Sequence, residues 1–138
     1  MSLFRVFDIA GSALNAQTAR MNLTASNMAN ADSASSSIGS TYRAREPVFQ
    51  AVLDDTLGAG VTSGGVRLAG VVESQAPLRQ EYQPGHPLAN AEGYVFMPNV
   101  NTVEEMANMI SASRSYQTNL EVINAAKQML LRTLTLGQ

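Results

Sequence analysis

The residues of this chain that could do chemistry are few and are not grouped. The single histidine, His86, lies between two prolines in the stretch PGHP, and no serine or cysteine motif suggests a nucleophile that it could activate. Asp54 and Asp55 are adjacent acids without further ligands at regular spacing, which is typical of a solvated loop rather than a cation site. The sequence therefore predicts no enzyme, no cofactor and no metal site.

Two other groups of reactive side chains are explained by helices. Glu104 and Glu105 stand where a helix is expected to begin, and negative charge is favourable there. The seven methionines follow helical spacing, which indicates packing rather than a cofactor. A small hydrolase would need a clustered nucleophile and base, so we expect no small-molecule substrate.

The composition of the chain argues against several functional classes of protein. The chain has 138 residues, about one domain, with 14% charged residues and a net charge of -2. Without a basic run, a nucleic-acid surface is not expected. No apolar stretch approaches the roughly 18 residues of a membrane span. Arg5 and Asp8 interrupt the basic-then-apolar plan of a secretory signal, so no cleaved signal is expected.

Glycine and proline divide the chain into two ends and a middle. All five prolines, and eight of the ten glycines, lie between Gly39 and Pro98. Because these residues break regular structure, the sequence predicts an α+β fold with long terminal helices packed as a coiled coil and a small β-rich middle. The expected segments are an N-terminal helix in 1–35, a β-rich segment with a Ser-rich connector in 36–100, and a C-terminal helix in 101–138.

The first helix is expected from about Leu3 to Met28. Apolar residues recur along it with the 4-3 spacing of a coiled-coil seam, interrupted by two polar residues. The seam consists of Leu3, Phe7, Ala10, Leu14, Gln17, Met21, Thr24 and Met28.

The last helix is expected to begin at Thr102, with Glu105 completing a capping box, and to run to about Leu136. It carries apolar residues on more than one side. Its broad stripe consists of Met106, Met109, Ile110, Ser113, Tyr116, Leu120, Ile123, Lys127, Leu130 and Leu134.

The apolar members of both sets are the predicted coiled-coil and intersubunit packing residues. Each helix can cover one apolar stripe of the other, which leaves further apolar surface on both helices. Monomers seldom expose large apolar patches, so this remaining surface is expected to pack against another chain. Alternatively, the middle segment folds over this remaining apolar surface, although it contains few large apolar residues.

The middle is expected to form three or four short strands in one small sheet. Candidate strands are YRAREPVFQAVL, with a bend at Pro47, then VRLAGVVESQ, and GYVFM, which Pro98 ends. DDTLGAGVTSGG is expected to be an exposed loop, and PLRQEYQPGHPLANAE extended chain and turns.

The end of the first helix carries the stretch ASNMANADS. Asn27 and Asn30 are turn residues by propensity alone, since asparagine tolerates the left-handed conformation. The same stretch matches the Asn-x-Ala-Asn signature (Asn27, Ala29 and Asn30) of the bacterial flagellar rod and hook proteins. The opening FDIAGSALNAQTARMNLTASNMANADS and the closing MPNVNTVEEMANMISASRSYQTNLEVINAAKQMLLRTLTLGQ resemble that family too. Ser33 stands where the family often has threonine, and both residues carry a hydroxyl.

The resemblance implies a structural subunit of the basal-body proximal rod, the periplasmic drive shaft that transmits torque. It implies assembly with copies of itself and with FlgB, FliE, FlgF and FlgG into a helical tube. It also implies export by the flagellar type III apparatus without a cleaved signal peptide. The alternative function is a cytosolic export chaperone or adaptor with two exposed amphipathic helices, which would be a stable helical monomer or dimer.

Overall fold

Along the described part of the chain, a long helix precedes four short strands and a second long helix follows them. The computed structural model describes residues 3–52 and 64–136. In chain order these are helix α1 (Leu3–Ala29), strand β1 (Arg45–Ala51), strand β2 (Val66–Glu73), strand β3 (Arg79–Tyr82), strand β4 (Tyr94–Met97) and helix α2 (Thr102–Leu136), with a 3-10 turn at Ile38–Ser40. The predicted α+β class is confirmed.

The helices lie side by side and antiparallel. Arg20 Nη2 donates to Asn108 Oδ1 at 3.0 Å, and Asn27 Nδ2 donates to Glu105 Oε1 at 3.2 Å. Residues later in α1 therefore meet residues earlier in α2. Extending the register of these two pairs by one helical rise per residue places Leu3 level with about residues 125–129, so at least the last two turns of α2 project beyond Leu3.

The β1–β2 hairpin lies along α1. Its strands pair antiparallel from Arg45–Glu73 to Ala51–Val66, and Ala69 is an extra residue where the register shifts beside Val48 and Phe49. At the far end of the hairpin, the Val66 N–H donates to Ser12 Oγ at 3.1 Å. The expected loop DDTLGAGVTSGG falls mostly on residues 53–63, which lie outside the described residues.

The second hairpin joins β3 to β4 and makes a separate sheet. The expectation of one small sheet is therefore wrong, and β3 was expected to be extended chain and turns. Its sequence RQEY contains only one apolar residue, so alternation could not reveal it. What fixes it is pairing with the more apolar YVFM, whose Phe96 also bridges to Ser35 through two backbone hydrogen bonds of 2.9 Å.

The packed core of the described residues is small. A cluster of Ala31, Ala44 and Val100, with Tyr42 against it, joins the end of α1 to the β-rich middle. Val95 is wholly buried nearby. The most buried apolar residues of the two helices are alanines, and many large apolar side chains stay exposed, so burial within one chain uses only part of the available apolar surface.

The start of α2 differs from the expected capping box. Asn101 is the cap: its Oδ1 accepts from the N–H groups of Val103 at 3.1 Å and Glu104 at 3.4 Å. Thr102 is already helical, and the Glu105 carboxylate turns to α1 instead of bonding back. The helix begins at Thr102 as expected, but its cap is the preceding residue, since asparagine caps a helix at least as well as threonine does.

Gly93 is the position in the second hairpin where a side chain is least tolerated. Its φ is +82°, and an added Cβ would lie 2.9 Å from Tyr82 Cε2. Gly93→Ala is expected to lower the free energy of unfolding by about 1–3 kcal/mol through this strain. Denaturant unfolding followed by circular dichroism measures the loss. Gly85→Ala, in the same connection with open space around it, is the control, and equal effects of the two substitutions would refute the explanation.

Candidate intersubunit surface

The side-chain amide of Asn27 connects three parts of the molecule. Its Nδ2 donates to the Arg45 carbonyl at 3.0 Å and to Glu105 Oε1 at 3.2 Å. Its Oδ1 accepts from the Arg45 N–H and from Tyr42 Oη, both at 2.9 Å. All four hydrogen-bonding positions of the amide are therefore used.

This amide is 2% exposed and is among the largest fully buried side chains of the described residues. A buried amide is costly unless every polar atom is paired, and here every one is. Asn27 thus fixes where α1, α2 and the start of β1 meet. We call the contacts of Asn27 with Tyr42, Arg45 and Glu105 the Asn27 clasp.

Asn27 and Asn30 do not form the left-handed turn that their propensity indicates. None of the described residues other than glycine has a positive φ. Asn27 lies within the helix, whereas Asn30 follows its last residue. The Asn30 Nδ2 donates to the Ser26 carbonyl at 2.8 Å, and Ser33 Oγ donates to the Asn30 carbonyl at 2.8 Å, so these side chains satisfy the end of the helix. Ala29, between them, is exposed.

A second asparagine ties the connector before α2 to the strands. Asn99 Oδ1 accepts from the Ala44 N–H at 2.8 Å, and its Nδ2 donates to the Ala76 carbonyl at 2.9 Å. Arg43 Nη1 donates to the Ser74 carbonyl at 3.1 Å and reaches that of Ala76 at 3.3 Å. The sequence alone did not predict the hydrogen bonds of Asn27 and Asn99 to distant backbone groups, because the identity of one polar residue does not indicate which groups it will contact in the fold.

One row of α2 faces α1, again with 4-3 spacing, and each of its members is buried or half-buried. Ala112 and Ala126 are its most buried members, at 0% and 1% exposure. We call this row the α2 seam. It consists of Glu105, Met109, Ala112, Tyr116, Asn119, Ile123, Ala126 and Leu130.

A second row of α2 is apolar but uncovered. Met106 is 54% exposed, Ile110 56% and Leu134 68%. At about 100° per residue, this row lies roughly 80–130° to one side of the α2 seam. We call it the first flank. Its apolar members are Val103, Met106, Ile110, Leu120, Leu131 and Leu134, and Ser113, Gln117, Asn124 and Lys127 interrupt it.

The opposite side of α2 has fewer exposed apolar residues than the first flank. Val122 and Met129, 42% and 53% exposed, lie about 80° from the seam in the other direction, and we call them the second flank. Residues at about 180° from the seam form a polar back of Arg114, Glu121 and Gln128, all exposed.

The predicted packing residues thus fall into two groups. Those half-buried or buried in the chain are Phe7, Ala10, Leu14, Met21, Met28, Met109, Tyr116, Ile123 and Leu130. Those exposed are Met106, Ile110, Leu120 and Leu134. The side chain of Leu3 lies outside the described residues. The single broad stripe expected on α2 is therefore two rows, one against α1 and one without a partner among the described residues.

Two further features of residues 3–52 and 64–136 bear on function. Neither helix has an apolar run long enough to cross a membrane. Within the same ranges, His, Asp and Glu side chains do not gather in threes at a spacing that would hold a metal ion.

Comparison with known proteins matches the whole chain. It is 56% identical over 138 residues, covering all of both chains, to the flagellar basal-body rod protein FlgC of Escherichia coli O6:H1 and to that of Salmonella typhimurium. It is 41% identical over 140 residues, again in full, to the FlgC of Buchnera aphidicola subsp. Acyrthosiphon pisum.

Family models match the two ends of the chain. The model described as flagella basal body rod protein matches residues 7–34, and the model described as flagellar basal body rod FlgEFG protein C-terminal matches residues 91–136. The matched segments contain Asn27, Asn99, the α2 seam and both flanks.

Removal of the Asn27 amide tests its structural role. Asn27→Ala leaves the Arg45 N–H and the Arg45 carbonyl without their side-chain partner, whereas Tyr42 Oη keeps Ser26 Oγ at 3.2 Å. Each buried unpaired group costs about 1–3 kcal/mol. We expect the free energy of unfolding to fall by at least about 2 kcal/mol in denaturant titration. Asn22→Ala, on the exposed side of α1, is the matched control and is expected to be near neutral.

The isosteric change Asn27→Asp refines this test. It keeps the shape but removes the donor and places a carboxylate beside Glu105, so we expect it to destabilise too. Adding Glu105→Gln restores a donor at that contact and should recover part of the loss. If Asn27→Ala unfolds at the same denaturant concentration as the parent chain, the Asn27 clasp does not stabilise the fold.

Proposed function

This chain belongs to the FlgC family of flagellar basal-body rod proteins, and we propose that it forms part of the proximal rod, assembling helically with copies of itself and with other rod proteins into the shaft that transmits torque. Its role as a structural rod subunit follows from the full-length identity. The helical assembly, the place in the proximal rod and the mechanical role are the proposal.

The first flank is the observation that carries the proposal. Six large apolar side chains recur along one side of α2 and are exposed among residues 3–52 and 64–136, although α2 already has a seam against α1. Monomers seldom leave such a row in water, whereas a subunit of a polymer buries it against a neighbour. We therefore assign the exposed packing residues to contacts between subunits and the half-buried ones to the α1–α2 contact.

The partners and location extend this proposal. FlgB, FliE, FlgF and FlgG are the proposed neighbours besides copies of the chain, and the periplasm is the proposed location. Export by the flagellar type III apparatus without a cleaved signal peptide would deliver the subunit. The chain needs no active site for such a role, and we propose no enzymatic activity.

Fractionation separates this function from the rival export chaperone. We expect the tagged chain to purify with basal bodies extracted in detergent, together with other rod proteins. The control is a tagged cytosolic protein expressed to the same level. A chain that stays in the cytosol as a stable dimer, while basal bodies are complete without it, would establish the chaperone function instead.

Loss of two first-flank leucines tests the assembly role. Each buried leucine contributes roughly 1.5–3 kcal/mol, and the loss recurs at every copy, so the double change Leu131→Ser and Leu134→Ser should prevent complete rods. The subunit should still be exported, because its own fold does not depend on these exposed side chains. Electron microscopy of basal bodies shows whether rods are complete, secretion assays measure export, and soft agar measures motility.

The matched control places two serines on the polar back, through Glu121→Ser and Gln128→Ser. These substitutions should leave swimming nearly unchanged. Normal swimming of the double leucine variant would contradict the assignment of the first flank to subunit contacts.

A further inference from the structure

Methionine is the only sulfur-containing residue type of this chain, which has seven methionines and neither cysteine nor tryptophan. Cysteine thiolates react with peroxides most readily in many proteins, and their absence leaves the methionine thioether as the side chain most easily oxidised by two electrons. A thioether reacts only where the oxidant can approach its sulfur atom. Burial in the fold therefore decides which methionines are at risk.

The described methionines fall into two groups by exposure. Met106 and Met129 are 54% and 53% exposed, and both lie on α2 outside the row that faces α1. The others are half-buried: Met21 and Met28 in α1, Met97 in β4 and Met109 in the α2 seam. Two thioethers, one on each flank of α2, are thus much more accessible than the other four described ones.

Met106 and Met109 give the sharpest comparison, because they lie three residues apart on one helix. Met109 belongs to the α2 seam and is half-buried against α1. Met106 lies on the first flank between Val103 and Ile110, which are themselves 74% and 56% exposed. An oxidant can therefore reach Met106 while the helix pair stays closed, whereas full access to Met109 requires α1 and α2 to separate.

We propose that Met106 and Met129 are oxidation sites of the folded chain, converted by hydrogen peroxide to methionine sulfoxide. A lone pair of the sulfur attacks one peroxide oxygen, and the O–O bond breaks. That oxygen stays on the sulfur, and the other leaves as water with both hydrogen atoms of the peroxide. The sulfur loses two electrons and the peroxide gains them, so the step needs no further reactant.

Oxidation at Met106 changes what the first flank can contact. A sulfoxide oxygen is a strong hydrogen-bond acceptor, and burying it without a donor is costly. The proposed function assigns this flank to subunit contacts, so a chain oxidised at Met106 enters the rod poorly. This consequence rests on the proposed function, whereas the choice of the two sulfur atoms rests on their exposure alone.

Peptide mapping by mass spectrometry tests the two sites. The purified full-length chain is treated with dilute hydrogen peroxide, and circular dichroism is followed in the same samples. We expect Met106 and Met129 to gain an oxygen atom at least about threefold faster than Met109, with the helix signal unchanged. In denaturant the three should react at similar rates, which is the control for intrinsic reactivity. Equal rates in the native chain, or helix loss in step with oxidation, would overturn the assignment.

A permanent polar substitute tests the consequence for assembly. Met106→Gln places an uncharged polar group where the sulfoxide would be, and we expect spreading in soft agar to fall severalfold while secretion of the subunit continues. Glu121→Gln, which places the same amide on the polar back, should spread like the parent strain. Parental spreading of the Met106→Gln strain would show that a polar group at this position does not hinder assembly, and would overturn the consequence.

Fractionation separates failure of this inference from failure of the proposed function. A chain that is absent from basal bodies refutes the proposed function, whereas the oxidation rates are measured on the purified chain and do not depend on that function. A chain that is present in basal bodies but reacts equally at Met106 and Met109 refutes this inference alone.

Discussion

The fully paired amide of Asn27 is the contact on which the rest of the structure depends. It lies near the end of α1, and its side chain bonds to Glu105 in the first turn of α2 and to the first residue of β1, Arg45. The hydrophobic cluster beside it consists mainly of small residues, which contribute little burial energy. A polar contact that must be satisfied in one geometry therefore sets the angle at which the β-rich middle leaves the helices.

The small size of the buried residues also bears on the surface of α2. The most buried residues that α2 turns to α1 are alanines, and several large apolar side chains of α2 stay exposed on the flanks. In the proposed assembly, such a chain buries much of its apolar surface against its neighbours. Assembly and folding then draw on the same interactions, and loss of a flank is expected to affect the polymer more than the isolated chain.

Sequence predicted the elements well where one signal dominated. Glycine and proline punctuation located both helices, and the 4-3 spacing of α1 identified a row whose described members are all covered. In α2 apolar residues occur on several sides, so periodicity merged the covered and uncovered rows. The α2 seam includes Ala112 and Asn119, which carry little hydrophobic signal, whereas the exposed Met106 and Ile110 carry a strong one. The second hairpin and the Asn27 clasp depend on contacts between distant segments, which a local pattern does not contain.

A reconstruction of purified basal bodies at side-chain resolution tests the central claim most directly. The claim is that α2 uses one row for its own α1 and the first flank for neighbours. The account predicts protein density from adjacent subunits against Leu120, with the four hydrogen bonds of Asn27 intact and the polar back facing water. A rod in which Leu120 and Ile110 face open solvent, or in which Asn27 has lost its partners, would contradict it.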